Sequence, residues 1–140
     1  MRRSFAVAVA FSSFGVSFAA DVPACRHSPH VVAACTTIHG RLDVWNGTPR
    51  IRLWHIGTRH MLGIEPPEHP IMPAILLEQL QAGHSLYGDF LVCPVRKERA
   101  GRMGAVCIEA ADHLFAQDRN GGDQSLRRVP GRFRLRAEHR

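Results

Sequence analysis

Cysteine and histidine, the side chains that bind zinc and copper most often, are concentrated near the start of the chain in the pattern C-x-H-x₂-H-x₄-C-x₃-H. The five residues are Cys25, His27, His30, Cys35 and His39. Zinc or copper would accept these ligand types. The spacing matches no closed zinc module, and in an oxidising compartment the two thiols are consumed by disulfides. The alternative interpretation is a small periplasmic metal-binding protein that uses this His/Cys cluster, with His27, His30 and His39 as the candidate ligands, and no cofactor is expected.

A second chemical set combines two indoles with two guanidinium groups. By period-2 alternation, Trp45, Arg50, Arg52 and Trp54 lie on one face of a strand pair. Such a platform suits sugars, aromatic ligands or the surface of a protein partner. The competing interpretation is that a helix or the tail covers this face and the tryptophans belong to the core.

Motifs for catalysis are missing from the sequence. It has no G-x-S-x-G element, no phosphate-binding Walker loop and no C-x-x-C-H haem motif. A thiol nucleophile is disfavoured because the cysteines are even in number. We therefore predict no catalytic residue and favour a non-enzymatic protein.

The element that presents the indoles is the stretch from Cys35 to Ile56. Apolar and polar residues alternate on both sides of Asn46-Gly47, a dipeptide that tolerates positive φ and favours a β-hairpin. The apolar face carries Leu42, Val44, Ile51 and Leu53. This stretch predicts two paired strands.

The remaining pattern predicts one short helix, Pro73 to Ala82, with Pro in its first turn and Gly83 just beyond its end. Residues 59–64 either continue the second strand past a bulge or form a short third strand. Further strands are expected at residues 85–95 and 103–111, with a proline-rich loop at 65–70 and a charged turn at 96–102. We predict a mainly β fold, either a small bent sheet or a partly open OB-like barrel of about five strands with one short helix.

Four segments follow from composition. Residues 1–19 read as a secretory signal peptide, because Arg2 and Arg3 precede an apolar run and a small-x-small site. Residues 20–34 are an irregular lead-in, residues 35–115 the β-rich domain, and residues 116–140 a basic, disordered tail. Lipoprotein anchoring at Cys25 is a minority possibility.

The net charge of +6 belongs mainly to the ends of the chain. Residues 119–140 hold seven arginines and two acidic residues, whereas residues 21–118 hold nine basic and ten acidic residues. Nucleic-acid binding by a near-neutral domain is not expected. The basic tail could contact anionic lipid or cell wall.

Cys25, Cys35, Cys93 and Cys107 are predicted to form two disulfides. The favoured pairing is Cys25–Cys35 with Cys93–Cys107, because the latter two fall in consecutive strands and would face each other across the ladder. In the rival arrangement Cys35 bonds to Cys93 or Cys107 and ties the first hairpin to the second.

Three phrases carry a resemblance: C-T-T-I-H-G-R-L-D-V-W-N-G-T-P, Y-G-D-F-L-V-C-P-V and V-C-I-E-A-A. They resemble a group of small exported bacterial proteins described only as hypothetical, over roughly residues 35–111. The resemblance implies export and a compact domain, and it assigns no catalytic residue. We expect an exported, non-enzymatic periplasmic or cell-surface domain that binds an unknown ligand or an envelope protein, or has a structural role.

Overall fold

The computed structural model describes residues 24–135, and the predicted signal peptide lies outside this range. A 3₁₀ turn at Cys25–His27 precedes the strands. The strands are β1 Thr36–Val44, β2 Ile51–His55, β3 Met61–Ile64, β4 His84–Arg96, β5 Gly104–Asp118, β6 Arg127–Val129 and β7 Phe133–Arg134, and the helix is α1 Ala74–Gln81.

Five of these strands close into a mixed barrel. Antiparallel pairs run in the order β3–β2–β1–β4–β5. The circle is completed by a parallel pairing in which Leu62–Ile64 of β3 meets Gly104–Val106 of β5. The mainly β, OB-like prediction with one helix is confirmed, but the barrel is closed rather than partly open because β3 reaches the start of β5.

The barrel interior is filled by the apolar side chains that occupy alternate positions along each strand. Leu42, Leu53, Leu86, Phe90 and Leu114 are fully buried. Their alternation with outward polar residues is the period-2 pattern of a strand with one buried face. The local sequence pattern therefore decides which side of each strand faces the core.

Helix α1 closes one end of the barrel. Leu76 and Leu80, four residues apart on one helical face, are buried in the same core. Pro73 precedes the helix, and Gly83 ends it with φ +92, a conformation that glycine adopts without a Cβ penalty. No helix within residues 24–135 is long and apolar enough to cross a membrane.

The two disulfides are present, but the favoured pairing is wrong. Cys25 bonds to Cys107, and Cys35 bonds to Cys93. Cys93 and Cys107 do face each other across the β4–β5 ladder, as predicted. Each is instead bonded to the N-terminal segment, which lies across both strands and covers them, so the rival Cys35–Cys93 link is the correct one.

The C-terminal boundary also differs from the prediction. Strand β5 continues to Asp118, and residues 127–129 and 133–134 pair with β5 as β6 and β7. The predicted disordered tail from residue 116 is therefore folded onto the barrel as far as Leu135. Backbone pairing to a long central strand orders this segment despite its arginine content.

A buried carboxylate fixes the start of that segment. Asp43 is 4% exposed, and its Oδ2 accepts hydrogen bonds from Arg41 Nη2 at 2.6 Å and Ser85 Oγ at 2.7 Å. Its Oδ1 accepts one from Arg119 Nη1 at 3.3 Å. The Arg119 guanidinium also donates to the carbonyl of Leu80 near the end of α1. Asp43 thus connects the barrel, the helix and the C-terminal segment.

Candidate ligand-binding face

The outward side of the sheet carries one continuous row of aromatic and guanidinium side chains. Successive registers pair each member with the next on the neighbouring strand, and directly paired residues share a face. From β2 to β6 the aromatic row consists of Trp54, Arg41, Tyr87, Phe115 and Arg128. Five strands spaced at the usual interstrand distance make a row about 19 Å long.

Contacts within the aromatic row and to neighbouring residues restrain its side chains. The Arg41 guanidinium lies 5.8 Å from the centre of the Tyr87 ring. The Tyr87 hydroxyl donates to Gln117 Oε1 at 3.2 Å, and Trp54 Nε1 donates to the Thr58 carbonyl at 2.9 Å. Phe115 is 37% exposed, so its ring can contact a ligand.

Beside the aromatic row, two imidazoles share one carboxylate. His39 Nδ1 lies 2.8 Å from Asp89 Oδ1, and His113 Nδ1 lies 3.0 Å from Asp89 Oδ2. We call these three residues the His–Asp–His cluster. Its members come from β1, β4 and β5, with Asp89 on the central strand.

A β-bulge directs His113 into this cluster. Between the pairs Tyr87–Phe115 and Asp89–Asp112, β5 has one residue more than β4. His113, an extra residue of β5 at this bulge, has a positive φ of 51°, a conformation that costs a non-glycine residue roughly 1–2 kcal/mol. Gly88 lies opposite the bulge, where a Cβ would meet the Asp112 carbonyl at 2.9 Å. Bulges re-aim side chains, and local strain of this kind is concentrated at functional sites.

The cluster leaves both imidazoles with a defined outward nitrogen. An ionised carboxylate only accepts hydrogen bonds, so Nδ1 of each ring carries the proton that binds Asp89. In each neutral ring, Nε2 is then the acceptor. The two imidazole side chains are 66% and 64% exposed. Their outer edges are therefore available to a ligand.

Hydrogen bonds set the charge of the cluster. The side-chain hydrogen bond from His39 holds the pKa of Asp89 below its ordinary value, with His113 adding to the effect and desolvation opposing it. For Asp112, desolvation is outweighed by hydrogen bonds from the His113 backbone N–H and from Arg132, and its pKa is also lowered. Both carboxylates are thus ionised at neutral pH.

Removal of both imidazoles should raise the pKa of Asp89. We expect His39→Ala/His113→Gly, in which glycine suits the positive φ, to return it towards the ordinary value. In the native protein the lowered pKa contributes stability above about pH 4 that is lost as the pH falls through the folded-state value. Carboxyl ¹³C NMR titration measures this, with His69→Ala in an exposed loop as the control. An unchanged Asp89 titration would refute the hydrogen bonding described.

Positive charge borders the face along its β6–β7 side. Arg128, Arg132 and Arg134 are all exposed, whereas Arg127 pairs with the inward residue Ala116 and so points to the other side of β6. Arg132 and Arg134 also line a depression of about 200 Å³ together with Asp89, His113 and Phe133. We call Arg128, Arg132 and Arg134 the basic edge. Ordering of the C-terminal segment therefore places positive charge next to aromatic rings.

The four residues of the predicted Trp/Arg platform do not form one surface: Arg52 and Trp54 lie on the outer side of β2, and Trp45 and Arg50 lie beyond the ends of the paired strands. Arg52 donates from Nε to the Pro49 carbonyl at 2.9 Å and from Nη2 to the Asn46 carbonyl at 3.2 Å, which stabilises the hairpin turn. Trp54 is half-buried at the end of the aromatic row. Trp45, 39% exposed, and Arg50 lie at the far end of the hairpin, with the Trp45 N–H bonded to the Arg50 carbonyl.

The proposed metal ligands are separated by the fold. Within residues 24–135, the close group of three possible ligands consists of Cys25, Cys93 and Cys107, which does not include His27, His30 or His39. Cys25 and Cys35 are bonded to different strands. His39 instead contacts Asp89.

The residues that sequence reasoning missed are Arg41, Tyr87, Phe115 and Arg128, together with the Asp89–His113 pair. These residues are brought together by the cross-strand register between β1, β4 and β5. That register depends on the positions of the bulges, which the sequence does not show. Phe115 is the last residue of the predicted domain, and Arg128 lies within the segment predicted to be a tail.

The chain matches no family model, no curated protein and no solved structure.

Proposed function

We propose that this protein is an exported, non-enzymatic binding domain whose ligand is an acidic glycan, held on the outer face of the barrel. The observation that carries this proposal is the aromatic row that runs from Trp54 to Arg128 beside the basic edge. Sugar rings stack on aromatic side chains, and guanidinium groups bind carboxylate, sulfate or phosphate substituents. OB-type barrels bind oligosaccharides and oligonucleotides, which is support by analogy of fold alone.

Export is part of the proposal. The two disulfides are compatible with an oxidising, extracytoplasmic compartment. The N-terminal sequence features and the resemblance to exported proteins favour the same location. In the periplasm or at the cell surface, an acidic polysaccharide is an available polymer with both rings and negative charge. Single-stranded nucleic acid has comparable chemistry and is a competing outcome of the test.

The charge of the described chain supports a negative ligand. Residues 24–135 contain fourteen arginines and lysines and ten acidic residues. Three of these arginines form the basic edge. The earlier expectation that the folded domain is near neutral therefore does not apply to a domain that includes residues 119–135.

The test is a binding titration with purified mature protein. The probes are polygalacturonate and heparin as acidic glycans, dextran as a neutral glycan, oligo(dT) as single-stranded DNA, and phosphatidylglycerol vesicles. We expect binding of an acidic glycan that weakens with added salt, no binding of dextran, and weaker binding of DNA and vesicles. Preference for DNA or vesicles, or equal binding of dextran, would contradict the proposal.

Two variants assign that binding to the face. Phe115→Ala removes the exposed ring, and Arg128→Glu reverses a charge in the same row. Each should weaken glycan binding roughly tenfold, the scale of one lost stacking or charged contact. Arg99→Glu, an exposed arginine in the β4–β5 turn, is the matched charge control and should bind as the native protein does.

The metal-binding alternative rests on weaker ground. It requires Cys25 and Cys35 as thiolates in one site with His27, His30 and His39, whereas both cysteines are oxidised. Metal analysis and thiol titration of the protein purified without chelators test it. Stoichiometric zinc or copper together with free thiols at Cys25 and Cys35 would favour this alternative over the glycan proposal.

A further inference from the structure

The four cysteines form one compact sulfur cluster rather than two independent crosslinks. The Sγ atoms of Cys25, Cys93 and Cys107 all lie within 4.8 Å of one another, although Cys93 is not bonded to either of the others. All three are buried. Cys35, bonded to Cys93, is the one residue of the four that is partly exposed.

Strand register makes Cys93 and Cys107 potential partners. They are directly opposite each other in the β4–β5 ladder, and Cys107 Sγ lies 3.8 Å from the Cys93 carbonyl oxygen. Cross-strand Cβ separations of about 4.5–5.5 Å are close to those that a disulfide spans. A Cys93–Cys107 bond is thus within reach of the folded barrel with a small local adjustment.

We propose that this cluster is a thiol–disulfide exchange site whose substrate is a dithiol reductant. One thiolate of the dithiol attacks Cys35 Sγ, the S–S bond to Cys93 breaks, and Cys93 leaves as a thiolate. Cys93 then attacks Cys107 Sγ, so that a Cys93–Cys107 bond forms and Cys25 leaves as a thiolate. The second thiol of the reductant resolves the mixed disulfide at Cys35.

Atoms and electrons balance over the sequence. The dithiol loses two electrons and two protons and becomes a cyclic disulfide. The protein gains them as thiols at Cys25 and Cys35 and retains one disulfide between Cys93 and Cys107. The net change is the two-electron reduction of two disulfides to one.

Chain entropy favours attack on Cys107 over attack on Cys25. If Cys93 bonded to Cys25, the N-terminal segment would stay attached to the barrel. If Cys93 bonds to Cys107, residues 24–35 lose both disulfide crosslinks to the barrel, and the freed backbone gains conformational entropy. The departing Cys25 moves away with that segment, which disfavours the reverse attack.

The exchange would uncover an apolar surface. Residues 28–30 of the N-terminal segment form one wall of a cleft of about 520 Å³, with Ile71, Val95 and Cys107 on the barrel side. The segment also contacts the barrel through hydrogen bonds from Arg26 N to Glu109 Oε2 at 2.9 Å and from Val32 N to the Pro94 carbonyl at 2.8 Å. After exchange, noncovalent contacts such as these, together with the packing of Val31 on the cysteine cluster, would be left to hold the segment.

Limited reduction of the native protein tests the proposal. The mature protein is treated with substoichiometric dithiothreitol, quenched with acid, alkylated, and the species with two blocked thiols is peptide-mapped. We expect the blocked residues to be Cys25 and Cys35, with Cys93 bonded to Cys107. A two-thiol species that retains Cys25–Cys107 or Cys35–Cys93, or contains Cys25–Cys93, would overturn the proposal.

Two controls separate exchange in the folded state from scrambling. The same reduction in denaturant should give a mixture of pairings, and a native-state result identical to that mixture would also overturn the proposal. Tryptic cleavage after Arg26 should become at least tenfold faster in the folded two-thiol species than in the oxidised protein. Unchanged cleavage would show that the segment is not released.

Discussion

A Cys25→Ala/Cys107→Ala variant is expected to lose roughly 3.5 kcal/mol of unfolding free energy relative to the native protein. The inner Cys35–Cys93 bond, with a sequence separation of 58, is nested inside the outer bond, with a separation of 82. With the inner bond intact, the outer bond additionally closes roughly 24 residues, and the loop-entropy relation converts that length into the expected loss. Chemical denaturation of both proteins under non-reducing conditions measures it.

Removal of both disulfides should be far more damaging. The inner bond alone corresponds to roughly 4 kcal/mol, and the two together approach the whole stability of an ordinary domain. We expect a protein with all four cysteines replaced by alanine to be largely unfolded at 37 °C, as judged by near-UV circular dichroism. Near-native stability of either variant would contradict a stabilising role for these crosslinks.

Asp43→Ala is the second substitution with a large expected effect. It would leave Arg41 and Arg119 without their shared carboxylate and Ser85 without its acceptor. Breaking a buried ion pair by removing one partner costs roughly 3–5 kcal/mol, and partial exposure of both arginines places this case near 2–3 kcal/mol. Urea denaturation measures the loss in unfolding free energy.

Matched variants separate the parts of that network. Ser85→Ala removes one neutral donor and should cost roughly 1 kcal/mol. Asp43→Asn, which keeps the shape but not the charge, should fall between the two. Amide hydrogen exchange should also increase in the β6–β7 segment of Asp43→Ala, because Arg119 loses its anchor. A loss below that of Ser85→Ala would show that the carboxylate is not the centre of the network.

The barrel could be predicted because most of its signals are local. The alternation on either side of Asn46-Gly47 and the Pro73 and Gly83 boundaries of the helix depend on neighbours in sequence. Closure depended on a distant pairing between β3 and β5. A strand of four residues at Met61–Ile64 gives no local indication of its parallel partner.

The true length of β5 was concealed by its bulges. Register shifts lie opposite Gly88 and beyond Leu91, and each adds one residue to β5. After each extra residue, the positions of β5 that point inward change from odd to even or from even to odd. The inward residues Ile108, Ala111, Leu114 and Ala116 therefore follow no single alternation. The pattern faded at Asp112, where the bulge that forms the His–Asp–His cluster begins, and the short arginine-rich strands β6 and β7 depend on β5 for their order.

Disulfide connectivity was beyond sequence reasoning for a similar reason. Register correctly placed Cys93 opposite Cys107, but the N-terminal segment lies over both of them. Its path depends on contacts such as Val32 to Pro94, which have no local pattern. The Trp/Arg prediction included Trp54, which begins the aromatic row, and the other members of the row lie on strands whose register the sequence alone does not show.

The most direct test of the central claim is an NMR titration of the ¹⁵N-labelled mature protein with a short acidic glycan. If the outer face is the binding surface, the largest shift changes should fall on Tyr87, Phe115 and Arg128 and extend to His39 and His113. The residues around the N-terminal cleft, such as Ile71 and Val95, should remain unchanged. Shifts confined to that cleft, or saturating binding that leaves the aromatic row unperturbed, would contradict the account.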